Sequence, residues 1–384
     1  MMSPSPDSPV VLQVLPALVT GGVERGTVEI AQAIAEAEAT ALVASAGGPL
    51  VRQIERAGGA HINLPLTTKS PLGIWRNAAA LEALIRDRKV SLVHARSRAP
   101  AWSAWLACQR TGVPFVTTYH GTYSEGLPFK RLYNSVMARG RIVIAASQFI
   151  ADLVATQHRL DRARIRVIPR GVDPAVFDPA SVSGNRIAKL ADDWRLPDGV
   201  RTVVLPGRLT SWKGHTVLLD AIARLGGPDI MCVLVGSHQG RHGYARDLEH
   251  QAARLGIADR LRLVGQCDDM PAALCLADVV VHASTRPEAF GRVVIEAQAM
   301  ARPIIASDLG GPVETVRHGE TGWRVRPNDP DALAAAIGVA LDLDPAERLA
   351  LGQRARASVP TVRAMQDATL DVYETVLTAN TRPA

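Results

Sequence analysis

The sequence predicts an α/β protein with two doubly wound parallel sheets, and three observations carry that expectation. Short apolar runs of strand character alternate with helical patterns along most of the 384 residues. That order builds parallel βαβ units. The alternation stops once, over residues 172–200, and then restarts. Aromatic residues are only 4% of the chain, and small aliphatic side chains abound, which suits helices pressed closely onto sheets.

The first half opens with the strand VVLQVLP at 10–16, followed by a glycine loop and an apolar helix, GGVERGTVEIAQAIAEA. ATALVAS (39–45) leads to a helix near 49–57, and HINLPL (61–66) to one near 73–87. SLVHAR (91–96) leads to a helix near 99–110, and PFVTTYH (114–120) to one near 127–138. RIVIAAS (141–147) and IRVIPRG (165–171) complete seven strands. Such near-continuous apolar runs are what a parallel sheet covered on both faces requires. Residues 172–200 hold three prolines and no period-two run, and read as a linker with some helix. Beyond it come TVVLPGRL (202–209), IMCVLVG (230–236), LRLVGQ (261–266), DVVVHAS (278–284), RPIIAS (302–307) and an outer strand TGWRVRP (321–327). The expected organisation is a first domain over 1–173, a linker over 174–200, a second domain over 201–360 and a terminal helix over 361–384 that returns to the first domain. Open sheets bind ligands outside the carboxyl ends of their strands, so a cleft facing those ends is the expected site.

Charge is uneven along the chain. Residues 1–175 hold 20 Lys and Arg against 12 Asp and Glu, and residues 176–384 hold 23 against 25. A basic half points to an anionic partner, whether nucleic acid, an acidic lipid surface or a phosphorylated acceptor. Cys108, Cys232, Cys267 and Cys275 show no C-x-x-C spacing, so neither a disulfide framework nor a structural zinc is expected, and a reducing cytoplasm fits. The apolar run near the N-terminus lacks a basic flank and is broken by Pro16, so no signal peptide is expected. No apolar stretch is long enough to span a bilayer. Walker A and G-x-G-x-x-G patterns are absent, as are RNA-binding aromatic strands and helix-turn-helix patterns. No nucleic-acid partner is expected.

Two segments carry chemistry. In RPEAFGRVVIEA at 286–297, Phe290–Gly291 turn the chain into a helix, so Glu288 precedes the helix and Glu296 lies one to two turns in. The N–H groups around Gly291, Arg292 and Val293 then form a helix N-terminus suited to an anion. Read alone, Glu288 is equally a cap and Glu296 a solvated residue. In GRLTSWKGH at 207–215, Arg208 and Lys213 stand five residues apart after a strand and before a helix. Two fixed cations there suit a diphosphate, although a surface Arg and Lys is the plainer reading. His94 and His282 sit in strands and are expected to be structural, and Ser147 is expected to cap a helix.

In this order, G-R-x4-K-G and E-x7-E resemble the glycosyltransferases of family 4, which have the GT-B fold of two Rossmann-like domains. GGVERG at 21–26 and IPRGVD at 168–173 agree, although Arg170 stands where the family usually has Asn. The resemblance implies retaining transfer of a sugar from a nucleotide-sugar donor to an acceptor hydroxyl. It implies that Arg208 and Lys213 hold the diphosphate, that Glu296 binds the ribose, and that Glu288 meets the donor sugar. Gly21, Gly22 and the Phe290, Gly291, Arg292 and Val293 backbone would line the donor, with Gln266 near the base and His120 beside the reacting sugar. No D-x-D appears on a loop at the right place, so neither metal nor cofactor is expected. Arg96 and Arg98 are the candidate acceptor contacts. With Lys130, Arg131, Arg139 and Arg141 they point to a glycan or lipid-linked acceptor of the cell envelope, such as a lipopolysaccharide core, and to an anionic membrane surface at the inner face of the cytoplasmic membrane. Two other readings remain. A GT-B relative such as a 2-epimerase would need an acid/base set. A basic surface-binding protein would show steep salt dependence.

Overall fold

In the computed structural model the chain folds as two units, Met1–Pro169 with Val362–Ala384, and Arg170–Thr361. The structure describes residues 8–19, 21–123, 128–238, 240 and 242–381. The first seven residues of the signal-peptide reading and the last three of the terminal segment lie outside them.

The first unit is one parallel sheet of seven strands, β1 Val10–Val14, β2 Thr40–Ser45, β3 Ala60–Asn63, β4 Leu92–Ala95, β5 Phe115–Tyr119, β6 Val143–Ala145 and β7 Ile165–Val167. Their order across the sheet is β3-β2-β1-β4-β5-β6-β7. Strand direction of winding therefore reverses between β1 and β4, the switch point where such sheets open a crevice. The helix Val362–Thr381 completes this core. Met365, Val372, Tyr373 and Val376 are buried with Leu15, Ile30 and Ile34, and Gln366 Nε2 donates to the Glu29 carbonyl at 2.7 Å. His94, in the middle of the sheet, is pinned at both ring nitrogens, by Tyr373 Oη at 2.6 Å and Thr118 Oγ1 at 2.7 Å. It is a buried structural histidine, as the strand pattern suggests.

The second unit repeats the plan with β8 Arg201–Pro206, β9 Ile230–Val235, β10 Leu261–Gly265, β11 Val279–His282, β12 Ile304–Ser307 and β13 Trp323–Val325, ordered β10-β9-β8-β11-β12-β13. Its switch point lies between β8 and β11. Leu218, Leu219 and Ile222 of the helix His215–Leu225 pack on this sheet together with Ile337 and Ala340 of Pro330–Leu341. Residues 174–200, expected as a linker, belong with this unit. Their helix Gly184–Asp193 is anchored by Arg186, whose Nε and Nη2 donate to both carboxylate oxygens of Asp269 at 2.9 and 2.7 Å. Such a fork fixes geometry as well as charge. Single-sequence reading misses it because the pair is 83 residues apart.

Candidate functional site

The site grows from two corners at the second switch point. After β8 the chain turns at Gly207, runs through the short helical turn Ser211–Lys213 and enters the helix His215–Leu225 through Gly214. Gly214 has φ +76°, and a Cβ there would lie 1.8 Å from the Ala283 carbonyl oxygen. Only glycine allows this corner to lie against the end of β11. Thr285 N–H donates to the Trp212 carbonyl at 2.8 Å and ties the two corners together. Lys213 is thereby delivered to the loop that follows β11, although Glu288 is 75 residues away.

Three donors converge there on one oxygen. Glu288 Oε1 accepts from Lys213 Nζ at 2.6 Å, from His282 Nε2 at 2.7 Å and from the Ser284 hydroxyl. The Lys213, Glu288 and His282 side chains are 13%, 14% and 3% exposed. Burial pushes the Glu288 carboxyl upward, but the His282 ring and the Lys213 ammonium beside it outweigh that and hold it well below the usual carboxylate range. None of the three donors uses Oε2. The neighbouring His215 is fully buried, and burial pushes its imidazole down to about 4.

Three residues on, Gly291 (φ +80°) opens the helix Arg292–Ala299. A Cβ on Gly291 would meet Pro312 Cγ at 2.8 Å. Gly311 N–H donates to the Glu288 carbonyl at 2.9 Å and fixes this loop from the far side. Intrahelical bonding begins at Val294 N–H, which donates to the Gly291 carbonyl. The first N–H groups of a helix have no acceptor within it and carry its positive end. Glu296 lies just over one turn in, 6% exposed, with Arg292 Nε 3.8 Å from its Oε1. Phe290 is buried and anchors the loop.

Lys213, Glu288, Gly291, Arg292, Val293 and Glu296 are thus gathered at one switch point. Arg208 follows the same corner, exposed, immediately after Gly207. Gln266 lies at the end of β10, exposed, with Nε2 donating to Asp268 Oδ1 at 3.3 Å. The first unit places Gly21 and Gly22 at the start of the helix Gly22–Glu36, after β1. His120 follows β5, half-buried. Arg96 is not a surface cation. It is 2% exposed, and its Nη1 donates to Gln13 Oε1 at 2.8 Å. Arg98 donates to Asn134 Oδ1 at 2.8 Å and lies 4.1 Å over the Tyr123 ring. Ser147 caps the helix Gln148–His158, accepting from Ile150 N–H at 3.2 Å.

His282 and Ser284 are the site residues that sequence reading missed. They stand two apart in VVVHAS, so they face the same side of an extended chain, six and four residues before Glu288. That spacing is the signal that would have found them. Among the described residues no group of three His, Cys, Asp or Glu side chains is arranged to hold a metal ion, and no helix is long and apolar enough to cross a membrane.

Two sheets of this order, with a cation–carboxylate cluster and a helix N-terminus at the second switch point, define a GT-B glycosyltransferase. The fold is shared with a glycosyltransferase from Rickettsia africae, at 35% identity and TM-score 0.89 over 97% of this chain and 99% of the other. Anabaena Alr3699/HepE, solved in complex with UDP-glucose, matches at 25% identity and TM-score 0.83 over 95% and 99%. A D-inositol 3-phosphate glycosyltransferase of Jonesia denitrificans is 30% identical over 329 residues, 79% of this chain and 74% of its own. Further relatives of that description are spanned over 56% and 62% of their length. Residues 20–176 match Glycosyltransferase Family 4, and residues 187–358 match Glycosyl transferases group 1. The chain belongs to the family 4 glycosyltransferases.

Proposed function

We propose that this enzyme moves a hexosyl group from a nucleoside-diphosphate sugar to a hydroxyl of a phosphorylated acceptor, with retention at the anomeric carbon. The observation that carries the reading is the convergence of Lys213, His282 and Ser284 on Glu288 Oε1 beside the helix that opens at Gly291. HepE, a neighbour of the same fold, is described with UDP-glucose, which supports a UDP-sugar as the first donor to try.

The chemistry follows from where charge develops. Breaking the anomeric C–O bond leaves its electron pair on the diphosphate and positive charge on the sugar. Lys213, Arg208 and the helix N-terminus at 291–293 stabilise the leaving group, an arrangement of fixed dipoles and cations that requires little reorganisation. Glu296 takes two ribose hydroxyls. Glu288 is held ionised by its three donors on Oε1 and offers Oε2 to a sugar hydroxyl. The acceptor oxygen attacks from the face the diphosphate leaves, and a phosphate oxygen takes the acceptor proton. His120 and the backbone at Gly21 and Gly22 are assigned to the reacting sugar and the phosphate, and Gln266 to the base. Fixed cations do the work of a divalent ion here, so turnover is proposed to need neither metal nor cofactor and to survive a chelator.

The basic first half supports an anionic acceptor, and we assign it to the cell-envelope class, lipopolysaccharide core included, with the enzyme at the inner face of the cytoplasmic membrane. Free thiols at Cys108 and Cys232 suit a reducing compartment. The relatives described as D-inositol 3-phosphate glycosyltransferases favour a second reading, a small phosphorylated polyol. The test is a transfer assay with UDP-, GDP- and ADP-sugars against D-inositol 3-phosphate and against a phosphorylated core oligosaccharide, with the product anomer read by NMR. An axial-to-axial product supports retention. An inverted product, or a covalent sugar trapped on Glu288, overturns the mechanism.

A further inference from the structure

The first unit carries an apolar groove of about 630 Å³. Its walls are Ile74 and Trp75 near the start of the helix Pro71–Asp87, Trp102 and Leu106 of the helix Arg98–Thr111, and Phe129 and Leu132 of the helix Pro128–Asn134. The lip is exposed to an unusual degree for large apolar side chains. Trp75 is 56% exposed, Phe129 66% and Leu132 61%. Contiguous apolar surface of this kind marks an interaction site rather than a random solvated face.

The charge around the groove selects the partner. Lys69 and Lys130 line its mouth. The three bordering segments, 67–76, 98–111 and 128–141, hold eight lysines and arginines and no Asp or Glu. Nearby, Arg139 stacks on Trp102 and Trp105 at 4.9 and 4.2 Å from the ring centroids. This guanidinium covers aromatic faces, and the mouth lysines are left for the partner. Among the described residues no Asp or Glu lines the slot, and an apolar slot rimmed by lysines matches an anionic amphiphile. Exposed tryptophan beside lysine is also the pairing that settles at the boundary between acyl chains and headgroups.

We propose that this groove docks the protein on an anionic lipid bilayer, with Trp75, Phe129 and Leu132 entering the acyl boundary and Lys69 and Lys130 meeting lipid phosphates. The inference rests on the envelope reading of the acceptor for its purpose. Vesicle binding is measured with neither donor nor acceptor, so its failure and a failure of transfer are read separately.

The experiment is cosedimentation of the full chain with phosphatidylcholine vesicles with and without phosphatidylglycerol. Tryptophan quenching by acyl-brominated lipid is read alongside. The expected result is binding to phosphatidylglycerol vesicles that fades with added salt, with quenching and a blue shift. Lys69→Glu with Lys130→Glu should weaken partitioning by roughly fivefold or more per site. Phe129→Ser with Leu132→Ser should weaken it at least tenfold. Both pairs lie outside the core, so thermal unfolding should be unchanged. A wild-type protein that stays in the supernatant, or one whose binding neither pair alters, overturns the proposal. So does self-association without lipid that Phe129→Ser with Leu132→Ser abolishes, since the groove is then an interface between copies of this chain.

Discussion

The two switch points of this enzyme use polar residues in opposite ways. In the first unit the charged and polar groups around β1 and β4 are turned inward. Arg96 bonds Gln13, His94 bonds Tyr373 and Thr118, and Gln13 Nε2 donates to the Thr27 carbonyl at 3.1 Å. In the second unit Lys213, His282 and Ser284 converge on a single carboxylate oxygen of Glu288, and a helix N-terminus opens three residues later. The same sheet order therefore supports two designs. One commits its buried polar groups to bonds within the unit, the terminal helix included through Tyr373, and the other concentrates charge where a diphosphate sugar is proposed to react. Position at a switch point alone does not make a residue functional. What its polar atoms are committed to decides that.

The sharpest way to break the comparison is at the second switch point. Lys213→Ala or Glu288→Ala should lower kcat/KM by about 10² to 10³, the size typical for losing one preorganised group at a developing charge. Both variants should keep the fold, Glu288→Ala with a lower melting point because Lys213 and His282 lose their carboxylate, and steady-state kinetics beside a melting curve checks both. Loss of fold in either variant would mean that the cluster is structural, like the first unit's.

Gly214→Ala attacks the corner that delivers Lys213. Its Cβ has no space beside the Ala283 carbonyl oxygen, and φ +76° disfavours any side chain. Overpacking and left-handed strain together should cost about 3 kcal/mol or more, read as a shift in the urea midpoint.

His215 predicts a pH effect of similar size. Its imidazole is pushed to about 4 in the fold against ~6.5 unfolded, so between those values the unfolded chain binds the extra proton. Stability should then fall as pH drops from ~6.5 to ~4, by about 3 kcal/mol at ~1.4 kcal/mol per unit. The carboxyl of Glu288, held low, adds its own loss only as pH falls below its ordinary range. Denaturant titrations across this window should show the first phase shrink in His215→Gln. The smallest effect belongs to the first unit. Tyr373→Phe removes one buried hydrogen bond to His94 and should cost about 1 to 2 kcal/mol, with kcat/KM unchanged.

The strands and the two motifs were legible in the sequence because parallel β-strands buried on both faces leave continuous apolar runs, and because Gly207 to Gly214 and Glu288 to Glu296 each lie within one local segment. Contacts between segments were not. Lys213 meets Glu288 only because β8 and β11 are neighbours in the sheet, and Arg186 meets Asp269 across 83 residues. His282 reads as one more strand residue until the loop returns Glu288 to it. Arg96 reads as an acceptor contact because nothing local shows that Gln13, on another strand, accepts from it.

The measurement that tests the central claim most directly is calorimetric titration of UDP-, GDP- and ADP-sugars into the wild type, Lys213→Ala and Glu296→Ala. The account predicts that one nucleotide sugar binds selectively and that each variant weakens it at least tenfold, about 1.4 kcal/mol. A nucleotide sugar that binds wild type and both variants equally would place the donor away from the second switch point and contradict it.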